Sequence, residues 1–349
     1  MGITVTSFGR LQDGREAKLY TIANTKGMTI EVTDFGATLV GATVPDKDGR
    51  CADVVLGYAD VVDYTKFGGY LGATIGRNGN RIGGAAFSLN GKEYQLDKNE
   101  NGNNLHSGFA GFNSVIWKAD VDEANSSITF SHFSPDGDQG FPGNFETSVT
   151  YTLTEENEIK LDYWGKSDQD TIANMTNHSY FNLEGHDSGT ILDHSLWLDA
   201  DGITAVDAQC IPTGEIRPVE GTPFDFREAK VIGKEIEADD EQLKMGGGYD
   251  HNYALNPGEG VRKIAEVKAP ISGRKMEVFT DCVGVQLYVG NFMKDTWVGK
   301  DGKNYGKRTG FCLETQFFPD AINHENFTSP VLKAGDEYRT TTIYKFTAE

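Results

Sequence analysis

Apolar and polar residues alternate along much of this chain, with a period of two. Met28, Ile30 and Val32 interleave with Thr29, Glu31 and Thr33, the pattern of a strand with one face buried. Residues 34–40 continue into another strand, and Pro45-Asp46-Lys47-Asp48-Gly49 is turn chemistry. Residues 86–89 and 92–96 flank Asn90-Gly91, which predicts a hairpin closed by a two-residue turn. A second hairpin pairs Val149, Tyr151 and Leu153 with Ile159, Leu161 and Tyr163 across Glu155-Glu156-Asn157. Further strands are predicted over 191–198, 276–280, 285–289, 311–317 and 338–346. Helical periodicity is confined to short stretches at 60–64 and 226–236. Strand after strand, with 42 glycines to serve the turns, predicts an all-β fold, a large antiparallel β-sandwich. No linker, composition shift or repeat divides the chain, so residues 1–349 are expected to form a single domain.

Thr176-Asn177-His178-Ser179-Tyr180-Phe181-Asn182-Leu183 departs from that alternation. Read as a strand, it places Thr176, His178, Tyr180 and Asn182 on one face. Such a row of polar groups suits the wall of a pocket for a polyol, whose hydroxyls need donors and acceptors. A structural, hydrogen-bonded His178 is the plainer alternative.

Glu314 lies in Gly310-Phe311-Cys312-Leu313-Glu314-Thr315-Gln316-Phe317-Phe318, a run with no other charge. Burying a carboxylate raises its pKa and costs free energy unless partners compensate, a cost met most often at functional sites or in ion pairs. A partly desolvated Glu and a His form a workable acid–base pair near neutrality. Three polar stretches have the same character. Asn80 and Arg81, in Gly76-Arg77-Asn78-Gly79-Asn80-Arg81-Ile82, are fixed donors for sugar oxygens or part of a solvated loop. His106 follows the polar turn Asn103-Asn104-Leu105. Asp250 follows Gly246-Gly247-Gly248-Tyr249, where three glycines suit a binding loop.

The charge balance, 32 basic against 52 acidic residues for a net of −20, argues against nucleic acid or an anionic membrane as a partner. No apolar run approaches the ~20 residues of a membrane span, and no basic-then-apolar leader is visible, so the expected location is the cytoplasm. Cys51, Cys210, Cys282 and Cys312 are widely spaced and are expected to be free, buried thiols. No His-x-His, His-Glu-x-x-His, dinucleotide-type glycine motif or serine elbow is present, which makes metal binding the weaker proposition.

Taken in order, Asn-Arg-Ile at 80–82, Asn-Leu-His at 104–106, Asn-His-Ser-Tyr-Phe-Asn-Leu at 177–183, Tyr-Asp-His-Asn-Tyr at 249–253 and Leu-Glu-Thr-Gln at 313–316 resemble the aldose 1-epimerases, or galactose mutarotases. Thr222-Pro223-Phe224-Asp225-Phe226 and Gly284-Val285-Gln286 fit the same family. Ser179, where Thr is frequent, and the polar Arg77-Asn78-Gly79 depart from it. The resemblance implies a β-sandwich that holds a small aldose in a cleft without a cofactor; the assembly is expected to be a monomer or homodimer, which the sequence does not distinguish. It implies that Glu314 takes the proton of the anomeric hydroxyl and that His178 protonates the ring oxygen. His106 is expected near the ring oxygen or anomeric end, with Asn80, Arg81, Asp250 and Gln286 holding hydroxyls. A carbohydrate-binding module, a hexose 6-phosphate epimerase using Arg77 beside Arg81, and a glycosidase pairing Glu314 with Asp250 are the rival readings.

Overall fold

The structure, a computed structural model, describes residues 2–349. Its regular structure is mostly antiparallel strands, arranged in three main sheets. The N-terminal sheet is a meander of Gly2–Arg10, Glu16–Ala23, Thr29–Thr33, Thr38–Pro45 and Cys51–Asp53. A nine-stranded sheet contains Phe145–Leu153 and Glu158–Ser167 beside the C-terminal strand Glu337–Ala348, which pairs in turn with Arg274–Thr280. The third sheet runs Pro212–Pro218, Ala200–Val206, Asp250–Leu255, Gly284–Tyr288, Cys312–Gln316. All three contribute to one core: Ile30 and Val32 from the first, Val149, Leu161 and Phe346 from the second, Tyr253, Val285 and Leu313 from the third. Burying such side chains contributes roughly 1.5–3 kcal/mol each, which is why the sheets pack face to face.

Both sequence-predicted hairpins form. Asn90 and Gly91 have φ of 52° and 75°, the left-handed pair that a tight hairpin turn requires. In the second hairpin Val149 faces Tyr163, Tyr151 faces Leu161 and Leu153 faces Ile159. The helix predicted near residue 60 is Val61–Phe67, capped by the Asp60 side chain on Val62 N. Residues 226–236 form no α-helix; they carry the strand Lys230–Val231 and a single 3-10 turn at Ile232–Lys234. A helix that periodicity missed, Glu241–Gly246, is only six residues long. It owes its ends to capping, since the Asp240 side chain accepts from Gln242 N and Leu243 N and Gly247 stops it at φ 65°. The three glycines are therefore a helix stop and a close contact, where a Cβ on Gly248 would lie 2.4 Å from Asn291 Oδ1. Among the described residues no helix is long and apolar enough to cross a membrane. The four cysteines are free, but only Cys282 and Cys312 are buried.

The stretch 176–183 is not a continuous strand. Only Thr176–Asn177 pairs, with Thr74–Ile75, and Phe181 makes isolated bridges to Val55 and Phe311. The Asn177 side-chain oxygen accepts from Ser179 N and Ser179 Oγ, a local bond that competes with strand pairing and turns the chain.

Candidate active site

The site begins with alternation in the third sheet. Leu313, Val285, Leu287 and Tyr253 enter the core, so their neighbours face the opposite side. Strand register aligns Asn252, Gln286 and Glu314 in one row and Asp250, Tyr288 and Cys312 in the next. That polar face is covered by other segments. Gly69, Tyr70, Asn80, Arg81, Glu100, His106, His178 and Tyr180 join Asp250, Tyr288 and Glu314 around a cleft of about 270 Å³, with Phe292 and Trp297 also lining it. The volume suits one sugar ring held closely. A wider groove of about 830 Å³ lies against the same Gly69–Tyr70 segment, but its ionic residues Asp13, Arg15 and Lys66 are exposed and form no acid–base pair.

His178 Nε2 lies 3.7 Å from Glu314 Oε1, and both side chains are buried. Its Nδ1 is 3.5 Å from Cys312 Sγ, and the ring stacks with Tyr180 and Tyr70 at centroid distances of 5.0 and 5.9 Å. Burial drives the Glu314 carboxyl well above the ordinary carboxylate range; Asp250 adds to the rise and Arg81 opposes it. Burial lowers His178 to about 4. Although the spacing is that of a long ion pair, both shifts favour the same state, an uncharged pair sharing one proton. Glu314 Oε2 has no protein partner and is left to serve a ligand.

His106 and Asn80 grip one another. His106 N donates to Asn80 O at 3.0 Å, and Asn80 N donates to His106 Nδ1 at 3.1 Å. Both residues hold left-handed backbone, φ 51° and 59°, a strain characteristic of functional positions. Burial first, then His178 and Arg81, lower the His106 pKa well below its usual value. With Nδ1 accepting, the neutral ring carries its proton on Nε2 and is a donor there. Arg81 Nε and Nη2 donate to Glu100 at 2.8 and 2.7 Å. Asp250 is buried and its pKa raised, burial outweighing Arg81 and the bond from Gln286 Nε2 at 2.7 Å.

One atom each of His106, His178 and Glu314 lie within 4.8 Å of one another, a possible metal triad. A metal-bound histidine donates its other ring N–H, whereas the other nitrogen of His106 already accepts a backbone N–H. The bonding thus suits a donor to oxygen rather than a metal ligand.

Six of the seven site residues expected from the sequence meet in the cleft: Asn80, Arg81, His106, His178, Asp250 and Glu314. Gln286 stands behind, holding Asp250. Of the supposed polar strand face, His178 and Tyr180 line the cleft. Thr176 does not, and Asn182 instead donates to Gly189 O and Thr309 O. Arg77 is no solvated or phosphate-facing residue. It is 1% exposed and donates to the carbonyls of Ser134, Pro135, Pro142 and Gly143. The sequence reading missed Glu100, Tyr70, Tyr288, Phe292 and Trp297. Tyr288 was within reach, since it lies two residues from Gln286 on one strand; Glu100 sits in an ordinary polar turn.

An aldose 1-epimerase family profile matches residues 18–345. Galactose mutarotase from Rattus norvegicus is 41% identical over 346 residues, 99% of each chain. Aldose 1-epimerase from Escherichia coli (strain K12) is 38% identical over 340 residues, 97% of each. Among solved structures, an aldose epimerase homologue from C. elegans superposes with a TM-score of 0.88 at 31% identity, covering 95% of this chain and 99% of its own. Galactose 1-epimerase from Lactobacillus acidophilus superposes with a TM-score of 0.87 at 28% identity, covering 99% of both. With one fold, one cleft and full-length likeness in agreement, this chain belongs to the aldose 1-epimerase family.

Proposed function

We propose that the protein interconverts the α and β anomers of free aldohexoses such as galactose and glucose, with Glu314 and His178 exchanging protons with the sugar. The observation that carries this reading is a buried carboxyl and imidazole 3.7 Å apart in a cleft sized for one ring. Glu314 takes the proton from the anomeric hydroxyl and His178 gives one to the ring oxygen. The C1–O bond of the ring breaks, leaving an open-chain aldehyde. Rotation about the C1–C2 bond presents the other carbonyl face, and the reverse transfers close the ring.

The reactive arrangement, carboxylate with imidazolium, is the one burial disfavours. After ring opening the pair is carboxylic acid with neutral imidazole, the state burial favours. Desolvation therefore works in the direction of ring opening. His106 donates from Nε2 to an oxygen at the reacting end. Asn80, Arg81 and Asp250 hold hydroxyls, and Gln286 acts through Asp250. A monomer or a homodimer with one such cleft in each chain fits this reading. A core running from Tyr20 to Phe346 supports reading residues 1–349 as one domain.

The engagement of Arg77 by backbone carbonyls leaves Arg81 as the arginine of the cleft, which weighs against a phosphosugar substrate. Polarimetry tests the reading. Freshly dissolved α-galactose or α-glucose should equilibrate faster with protein than without. Glucose 6-phosphate should gain little, and a glycoside should release no reducing sugar. A trace that follows the spontaneous rate would reject the assignment.

A further inference from the structure

Glu100 lines the cleft opposite the sheet, yet neither of its oxygens faces Glu314 or His178 in a hydrogen bond. Instead its carboxylate takes two parallel bonds from Arg81, Nε to Oε2 at 2.8 Å and Nη2 to Oε1 at 2.7 Å. The Arg81 side chain is 9% exposed and that of Glu100 26%. A bidentate grip of this kind sets the plane of a guanidinium as well as its place. Two of its five N–H groups are consumed, and the Nη1 edge remains for a ligand. Glu100 is also anchored to the loop that presents His106: Glu100 N donates to Asn103 O and Asn103 N to Glu100 O. The strand Asn104–Leu105 then pairs with Arg81–Ile82.

We propose, building on the mutarotase reading, that Glu100 is a positioning residue: it aims Arg81 at the sugar hydroxyls and offsets the cation's charge within the cleft. Arg81 is the cation that acts on both buried carboxyls, lowering Glu314 and Asp250, while Glu100 raises Asp250. Removing the Glu100 charge withdraws that rise and leaves Arg81 uncompensated beside Asp250, and the Asp250 proton is then lost at lower pH.

The test separates geometry from charge. Glu100→Gln keeps the size, retains one acceptor and deletes the charge. It should raise KM for galactose about tenfold with kcat changed less than about threefold at neutral pH, the loss expected for a charged hydrogen bond. The alkaline limb of its pH–rate profile should shift to lower pH. Glu100→Asp keeps the charge but shortens the reach, so KM should rise while the alkaline limb stays near that of the wild type. Thermal unfolding checks that both variants fold, and the Asp variant serves if the Gln variant does not. Wild-type KM in the folded variants, or an unmoved limb in Glu100→Gln, overturns the role of Glu100. An inactive wild-type protein would instead overturn the mutarotase reading.

Discussion

Two buried arginines four residues apart show how this molecule separates structure from site. Arg77 fills a socket in which its three nitrogens donate to Ser134, Pro142, Thr171, Pro135 and Gly143. Burial lowers its pKa to about 10, and no donor nitrogen is left over. Arg81 spends two nitrogens on Glu100 and presents the rest to a cleft. The polar rows around that cleft are incompletely bonded: Glu314 Oε2, Gln286 Oε1 and both ends of the Asn252 and Gln316 amides lack protein partners. Unmet buried polar atoms cost on the order of 1–3 kcal/mol each. Bonding completeness, rather than burial or charge, distinguishes these two arginines.

Substitutions can break or sharpen that contrast. The largest effect is expected in the cleft: Glu314→Gln and His178→Asn should each lower kcat by about 10²–10⁴-fold by polarimetry, with cooperative unfolding retained. Next is the socket. Arg77→Met removes the side-chain donor from four carbonyls, of which Pro135 O keeps the bond from Asp138 N, and should destabilise the protein by about 3 kcal/mol in denaturant titration. Folded Arg77→Met protein should keep a near-wild-type KM, because Arg77 does not reach the cleft.

The pH dependence follows from His178. Its pKa in the fold is depressed to about 4 from an unfolded value of about 6.5. Between those values the unfolded chain binds more protons, so the contribution of His178 to stability falls as pH drops from about 6.5 to 4. His194, also near 4, and His251, near 3, act in the same direction. Turnover should fail on the acid side as His178 takes a second proton into the pair, giving a limb near pH 4 in kcat/KM where the protein remains folded. The smallest effect concerns stability. Glu314 is buried with one oxygen unmatched, so Glu314→Gln should raise the melting temperature at neutral pH by about 1–3 °C. A drop of several degrees would show that the Glu314 carboxyl group stabilises the fold.

Much of this was legible without coordinates. The hairpin turn at Asn90-Gly91 and the register of 149–153 on 159–163 follow from local chemistry, since turn residues and period-two burial act over a few positions. The isolated charge at Glu314 marked a buried carboxyl for the same reason: its neighbours in sequence are its neighbours in the sheet. Local reasoning failed at 176–183, where an Asn177 side-chain bond overrode strand propensity. It failed again at 241–246, where capping outweighed periodicity.

The amino-acid sequence alone determined the strands, the apolar faces that join them and the residue types available for proton transfer. Only the tertiary structure decided which polar residues share a space. Arg77 and Arg81 occupy the same polar stretch, and Glu100 sits in an ordinary turn, so their roles depend on partners brought from elsewhere in the chain. Short-range chemistry selects local conformation, whereas a buried polar group acquires its function from the bonds that long-range packing supplies or withholds.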